Sequence, residues 1–147
     1  MAHDFDHTGL QILDEDECWQ LLESHHIGRL GVAINNKPEI YPVNYVVDGR
    51  TIVFRTAEGT KFAAAVLGTA VAFEIDAADP LFHTGWSVMV RGNAAEIERL
   101  EDLVAAERLP LTPWSSGPKT RYVRITPTAV TGRRIVHPGR TSPTTSG

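Results

Sequence analysis

The residues with the clearest potential for chemistry lie in one short segment, FRTAEGTKF. Arg55 offers a planar fork that matches phosphate oxygens, Lys61 a compact charge and Thr56 a hydroxyl donor. Gly59 lets the backbone approach a ligand closely, and a helix-like run follows with free N–H groups at its start. Together they predict a phosphate-binding turn. From spacing alone, a solvated turn in which Thr60 caps the helix is an equally good interpretation.

Hydrophobic periodicity and turn signals indicate the elements that must position this turn. Asp14 and Glu17 have the spacing of a capping box at a helix start, and Asp48-Gly49 is a strong hairpin signal. Many short strands with inserted helices predict a mainly β fold, an antiparallel barrel with peripheral helices. Predicted strands cover residues 27–34, 40–47, 51–55, 71–75, 86–95, 121–125 and 129–135, and predicted helices cover 14–24, 60–67 and 97–108.

Length and composition exclude several classes of protein. The 147 residues are 42% apolar and 22% charged, as expected for one soluble domain. A net charge of −4 argues against a general nucleic-acid binder, and no apolar run is long enough to span a membrane. One cysteine, Cys18, and the absence of a secretion signal predict a cytoplasmic protein.

The two ends of the chain differ from the middle in composition. Residues 1–10 and the polar tail 138–147 have little to bury, and we expect both to be disordered. The domain is therefore predicted to cover residues 11–137.

Five motifs then occur in a specific order. They are Gly28-Arg29-Leu30, Pro42-Val43-Asn44-Tyr45, Phe54-Arg55-Thr56-x-x-Gly59-x-Lys61, Val71-Ala72-Phe73-Glu74 and Gly85-Trp86-Ser87-Val88-x-Val90-x-Gly92. This order resembles the pyridoxamine 5'-phosphate oxidase-like family of flavin-binding proteins. The nearer branch is the short bacterial group that includes nitroimidazole-resistance-type proteins. The resemblance covers roughly residues 14–136.

The resemblance implies an antiparallel six-stranded split β-barrel that forms a homodimer, with two flavin sites at the subunit interface. The implied cofactor is FMN. The arginine, threonine and lysine would hold its phosphate, the Pro-Val-Asn segment would line the ring, and part of each site would come from the partner chain. The implied cofactor-binding residues are Pro42, Val43, Asn44, Arg55, Thr56, Lys61, Trp86, Ser87 and Trp114.

The sequence also departs from the fuller oxidase pattern. The phosphate turn lacks one basic residue of the family's Ser-Arg-Lys cluster and adds Glu58, and the C-terminal motif that grips the vitamin B6 substrate is not recognisable. We therefore do not expect pyridoxamine phosphate oxidase activity. Related branches bind the deazaflavin F420, which Arg55 and Lys61 could also serve.

The resulting hypothesis is an FMN-dependent oxidoreductase that passes hydride or electrons from NAD(P)H to a small organic acceptor, such as a nitro compound or a quinone. A flavin carries the reaction chemistry itself, so the missing acid–base dyad leaves the catalytic residues unknown but does not argue against an enzyme. The alternatives are an F420-dependent reductase, a non-catalytic flavin carrier or sensor, and a dimeric scaffold without cofactor.

Other residues have simpler explanations. His25 and His26 lack a third ligand at a useful spacing, so no metal site is predicted. Cys18 falls on an apolar helix face and is expected in the core. Arg29 is interpreted as a surface strand residue, with a place at the flavin edge as the alternative.

Overall fold

The computed structural model describes residues 4–56, 66–111 and 121–136. In chain order the elements are β1 (Gln11–Leu13), α1 (Glu15–Glu23), β2 (Ile27–Ile34), β3 (Lys37–Asp48), β4 (Thr51–Thr56), β5 (Ala70–Asp79), β6 (Thr84–Glu96), α2 (Leu100–Glu107) and β7 (Arg121–Ile135). No helix in these three ranges is long and apolar enough to cross a membrane.

The strands form one antiparallel sheet that closes on itself. Its order is β1-β7-β4-β3-β2-β5-β6, and an additional pairing of β6 with β7 closes six of the strands into a ring. The strand β7 pairs with β4 over Arg121–Ile125 and with β1 over Gly132–Arg134. It also pairs with β6 over almost the whole length of β7. The ring is therefore split between β4 and β1 rather than being a regular barrel. The predicted six-stranded antiparallel architecture is confirmed.

The interior of the ring holds the main core, and α1 closes it at one side. Alternate residues of each strand point inward, among them Phe54, Phe73 and Val90, which are fully buried. The predicted capping box is present: Glu17 N–H donates to the Asp14 carboxylate at 2.8 Å, and Asp14 N–H donates to the Glu17 carboxylate. It fixes the start of the helix whose buried face packs on the ring.

A second, smaller cluster lies on the outer face of β4 and β7. Val53 and Tyr122 pack there against Ala106 of α2, with Leu103 partly buried beside them. Periodicity in the predicted helix 97–108 favours inward positions for Leu100, Leu103 and Val104. This is wrong for Leu100 and Val104, which are 77% and 41% exposed. The helix touches the sheet along a narrow face only.

Two strand predictions are corrected by the structure. The segment 76–85, predicted as a loop, is mostly strand, because β5 extends to Asp79 and β6 begins at Thr84. The two final predicted strands form one continuous strand despite Pro127. This proline lies beside a register shift and pairs with Gly92 of β6, in the stretch between the β4 and β1 pairings. Its missing N–H is tolerated at such a bulge.

Several predictions fall wholly or partly outside the described residues. These are the helix start at residues 60–65, the polar connection at 112–119, and the predicted disorder of 1–3 and 138–147. Within the predicted N-terminal tail, Phe5 forms a bridge with Gln11, and the Asp6 carboxylate accepts from Thr8 N–H and Arg133 Nε. The limits of the domain stay a prediction.

The register shift provides a test of the ring closure. A Cβ at Gly92 would overlap the backbone carbonyl of Thr126, whereas a Cβ at Gly31 would meet Ala72 O at an ordinary 3.6 Å. We expect Gly92→Ala to lower the free energy of unfolding by about 3 kcal/mol, because the obstructing atoms belong to the paired backbone. Gly31→Ala is the matched control and should change it by less than about 1 kcal/mol. Equal urea midpoints for the two variants would contradict this account of the bulge.

Candidate functional site

The end of the β4–β7 pairing carries two of the predicted phosphate-binding residues. Arg55 is paired with Tyr122, and Thr56 is paired with Arg121 as the terminal pair. We call these four residues the ladder end. The guanidinium carbon of Arg55 lies 5.1 Å from the centre of the Tyr122 ring, a cation–π contact. Thr56 is only 4% exposed and points to the interior side. The ladder end thus places a permanently charged guanidinium on a rigid aromatic support.

The predicted ring-lining segment of β3 lies next to the ladder end. The pairing of β3 with β4 reaches Tyr45 and Phe54, so Asn44 and Arg55 occupy the next positions on the two strands. Asn44 is half-buried, Val43 packs against the core and Pro42 is exposed. The fold therefore brings this segment beside Arg55 and Thr56, although they come from different strands. The assignment of these residues to a cofactor stays a prediction.

Trp86 and Ser87 lie elsewhere on the ring. They belong to β6 and pair with Ala77 and Asp76 of β5. Three strand steps separate β6 from β3 in the sheet order, which is roughly 14 Å at the usual strand spacing. Trp86 instead makes an edge contact with the His25 ring, with centroids 4.9 Å apart. On β7, with which β6 also pairs, they stand opposite Arg134 and Arg133, at the other end of that strand from Tyr122 and Arg121. Their assignment to the cofactor stays a prediction.

Two further predicted residues, Lys61 and Trp114, lie outside the described residues. Their proposed contacts with the phosphate and with the ring stay predictions.

Arg121 is a basic residue of the ladder end that sequence reasoning missed. Its Nε donates to the Glu96 carboxylate at 3.1 Å, and both side chains are half-buried. Nothing in the local sequence marks it, because it stands 65 positions from Thr56 (121 minus 56) and only the pairing of β7 with β4 makes them neighbours. The number of basic residues at this point is therefore a property of the tertiary structure.

Arg29 has a structural partner on the outer face of the ring. Its guanidinium lies 2.5 Å from an Asp76 oxygen and 3.2 Å from a Glu74 oxygen. The bond from Arg29 lowers the pKa of Asp76, while burial and then the neighbouring Asp76 raise the pKa of Glu74. These contacts favour the interpretation of Arg29 as a strand residue that ties β2 to β5.

The remaining candidates have structural explanations. The His25 Nδ1 atom lies 2.8 Å from Leu21 O, at the end of α1. Cys18 is completely buried, and this burial raises the pKa of its thiol to about 11. Within the described residues, no group of three or more His, Cys, Asp or Glu could hold a metal ion.

The closed antiparallel ring and its positively charged ladder end define a split β-barrel protein. The comparison with family models is specific: the chain belongs to the pyridoxamine 5'-phosphate oxidase family, whose model matches residues 14–134. This confirms the family suggested by the five ordered motifs.

Individual relatives agree with the family. An uncharacterised Mycobacterium tuberculosis protein, Rv0080, is 42% identical over 135 residues, which cover 88% of each chain. The structure of an FAD-binding protein from Mycobacterium smegmatis is 45% identical, with a TM-score of 0.74 over 84% of this chain and 96% of that one. A Bacteroides thetaiotaomicron protein assigned to 5-nitroimidazole resistance has a TM-score of 0.65 over 90% and 96% of the two chains. At 14% identity it shares the fold alone.

The burial of Cys18 gives a chemical test of its role. With a pKa of about 11, the thiol is almost entirely protonated at pH 8, and the core around it excludes reagents. We expect no reaction of the native protein with a thiol-specific reagent on a scale of minutes, and one equivalent after unfolding in urea. Rapid labelling of the native protein would show instead that Cys18 is an accessible thiol.

Proposed function

We propose that this protein binds a flavin nucleotide, with the phosphate group held at the ladder end. The observation that carries the proposal is the position of Arg55. Its guanidinium lies over the Tyr122 ring beside the buried Thr56, where the basic turn begins and within the residues that the family model matches. A guanidinium presents a rigid fork of donors that complements phosphate oxygens. The adjacent Asn44 segment supplies backbone and amide groups for the neighbouring ring.

The charges around the ladder end support an anionic ligand. The whole protein carries a net charge of −4, yet Arg55 and Arg121 stand on neighbouring positions of two paired strands. The Arg121 guanidinium is held by the Glu96 carboxylate. The Arg55 guanidinium lies over the Tyr122 ring, which supports its flat face at the proposed phosphate position.

The flavin is FMN or FAD. The sequence motifs predict FMN, whereas the 45% identical relative from Mycobacterium smegmatis is an FAD-binding protein. Both contain the isoalloxazine ring and a phosphate next to the ribityl chain. F420 remains the alternative because it also carries a phosphate, and a titration separates the three.

We further propose that the functional unit is a homodimer. The family resemblance implies that each flavin site takes part of its lining from the partner chain, and Trp86 and Ser87 lie at the opposite end of β7 from the ladder end. The outer face of β2 and β3 exposes two isoleucines, Ile27 and Ile40, of which Ile40 is 70% exposed. Burial of such side chains against a partner would stabilise the dimer.

The proposed activity is that of an oxidoreductase. The bound flavin would supply hydride transfer, and the chain would supply binding, orientation and exclusion of water. Arg55 and Thr56 would anchor one end of the cofactor, and the β3 segment would set the position of the ring. A carrier without turnover uses the same residues, so activity is tested separately from binding.

The binding proposal is tested by the absorbance spectrum of the purified protein and by titration with FMN, FAD and F420. We expect a flavin spectrum that shifts on binding, with a Kd in the micromolar range or below for FMN or FAD. In the double variant Arg55→Ala, Lys61→Ala, affinity should fall by at least about a hundredfold, because two charge-assisted phosphate contacts are lost. Circular dichroism should show that the variant remains folded.

The matched control removes the same charge elsewhere. Lys37 is exposed on β3, and Arg99 is paired with Glu101 at the surface before α2. The double variant Lys37→Ala, Arg99→Ala should bind flavin like the wild type. Full flavin occupancy in the Arg55, Lys61 variant would refute the phosphate site, and absence of binding by the wild type would refute the proposed function.

Turnover is measured as steady-state consumption of NADPH or NADH with a panel of nitro compounds and quinones. We expect consumption that requires bound flavin and exceeds that of free flavin at the same concentration. The Arg55, Lys61 variant serves as the control without cofactor. Rates equal to the free flavin background would identify a flavin carrier rather than an enzyme.

A further inference from the structure

The contact between β2 and β5, which we call the seam, is the shortest strand pairing in the closed ring. It joins residues 29–31 to residues 72–74, three pairs in all, although β2 has eight residues and β5 has ten. The other five pairings of the ring cover between four and twelve residue pairs in the described part of the chain. With so few backbone bonds, the seam is where local opening of the ring costs least.

The hairpin of β2 and β3 is held against β5 by this seam. All eight residues of β2 pair with β3, over residues 37–44, so β2 is joined more firmly to β3 than to β5. Arg29 stands directly opposite Pro42 of β3 on one side and directly opposite Glu74 of β5 on the other. The segment 42–44, which is proposed to line the cofactor ring, therefore moves with the strand that the seam holds.

Arg29 supplies a directional contact across the seam. Its side chain lies on the outer face, because its neighbours Gly28 and Leu30 are buried. Its Nη2 atom donates to a Glu74 oxygen at 3.2 Å and lies 2.5 Å from an Asp76 oxygen. The two carboxylates are two residues apart on one face of β5. One side chain of β2 thus contacts two positions of β5, which fixes β2 along the strand direction as well as across it.

Apolar packing holds the inner face of the seam. The Phe73 ring lies against Gly28, where an added Cβ would be only 2.2 Å from a ring atom, and it makes an edge contact with Tyr45 at a centroid distance of 4.8 Å. Such packing is non-directional, and Gly28 offers no side chain that could interlock with β5. The position of β2 along β5 therefore depends on the three backbone pairs and on the outer contacts of Arg29.

We infer that Arg29 is a positioning residue of the flavin site, which acts through β2 on the ring-lining segment of β3. The inference rests on the proposed function. The ion pairs with Glu74 and Asp76 keep the hairpin against β5 and so preorganise the segment 42–44. Arg29 makes no contact with the cofactor in this account: its ion pairs restrict motion that flavin binding would otherwise have to restrict.

Hydrogen exchange measures the seam without any flavin. In Arg29→Gln, we expect the amides that bond across the seam, among residues 29–31 and 72–74, to exchange about fivefold faster than in the wild type, since two exposed ion pairs are lost. Amides that bond between β6 and β7 should keep their rates. Unchanged exchange at the seam would overturn the inference, and so would an equal acceleration in both regions, which would show a general loss of stability.

Flavin titration measures the effect on the site. For FMN or FAD, whichever the wild type binds more tightly, we expect Arg29→Gln to raise the Kd about threefold, because binding must order a looser segment. At saturation the visible circular dichroism of the bound flavin should also weaken, since it reports on the surroundings of the ring. In Arg55→Ala the Kd should rise while the signal at saturation stays that of the wild type, because the phosphate contact is lost and the ring-lining segment is intact.

The double variant Glu74→Gln, Asp76→Asn separates an indirect role from a direct contact. It leaves Arg29 in place and removes the charge of both of its partners. If Arg29 acts through β5, the affinity falls as in Arg29→Gln, and combining all three substitutions adds no further loss. If only Arg29→Gln weakens binding, Arg29 touches the flavin itself and the inference is overturned.

The matched control is Arg50→Gln. Arg50 follows β3 in the turn to β4 and is also an exposed arginine with two carboxylate neighbours, Asp16 at 2.5 Å and Glu15 at 3.9 Å. The variant loses the same charge and a similar pair of contacts away from the seam. Its exchange rates at the seam and its flavin affinity should equal those of the wild type.

The outcomes separate the inference from the function on which it rests. Faster exchange at the seam with unchanged affinity and circular dichroism would make Arg29 a structural contact only, which overturns the inference while the flavin site stands. If the wild type binds neither FMN nor FAD, the proposed function fails and the inference fails with it. Should Arg29→Gln be unfolded, Arg29→Lys, which keeps the charge but loses the fork, decides the same comparisons with smaller changes.

Discussion

The closure of the sheet by β7 is the constraint on which the rest of this structure depends. One strand of 15 residues pairs with β6 along nearly all its length, with β4 near its start and with β1 near its end. Without the pairing of β7 with both β6 and β4, the six strands would not enclose a common interior. The core, the position of α1 on the ring and the ladder end are all consequences of this closure.

Pairs of arginines and carboxylates recur over the surface of the ring. The protein is acidic overall, and most of its described arginines stand next to carboxylates that neutralise them, as Arg29 does with Asp76 and Arg133 with Asp6. Such exposed pairs contribute little to stability, but they remove positive charge from the surface. At the ladder end, Arg121 is likewise paired with Glu96, and the Arg55 guanidinium lies over the Tyr122 ring. The proposed phosphate contact therefore rests on the position of Arg55 at the end of two paired strands.

The arrangement also explains why few side chains are needed for the proposed chemistry. A flavin supplies the reactive atoms, so the chain has to hold a phosphate, orient a planar ring and exclude water. The β3 segment and the ladder end are suited to the first two tasks, because both belong to paired strands rather than to long loops.

The sequence by itself determined the family, the mainly antiparallel ring and the local signals. The capping box at Asp14, the extent of β2 and the presence of the hairpin after β3 depend on interactions between near neighbours, and these were predicted correctly. The turn itself is Gly49-Arg50, one position later than the predicted Asp48-Gly49, because Asp48 pairs with Thr51. The tertiary structure alone decided that β7 is one strand through Pro127, that Leu100 is exposed and that Arg121 stands opposite Thr56. The physical reason is that strand pairing joins residues far apart in the chain. Register, and with it the content of a site, follows from how the whole sheet closes rather than from any local pattern.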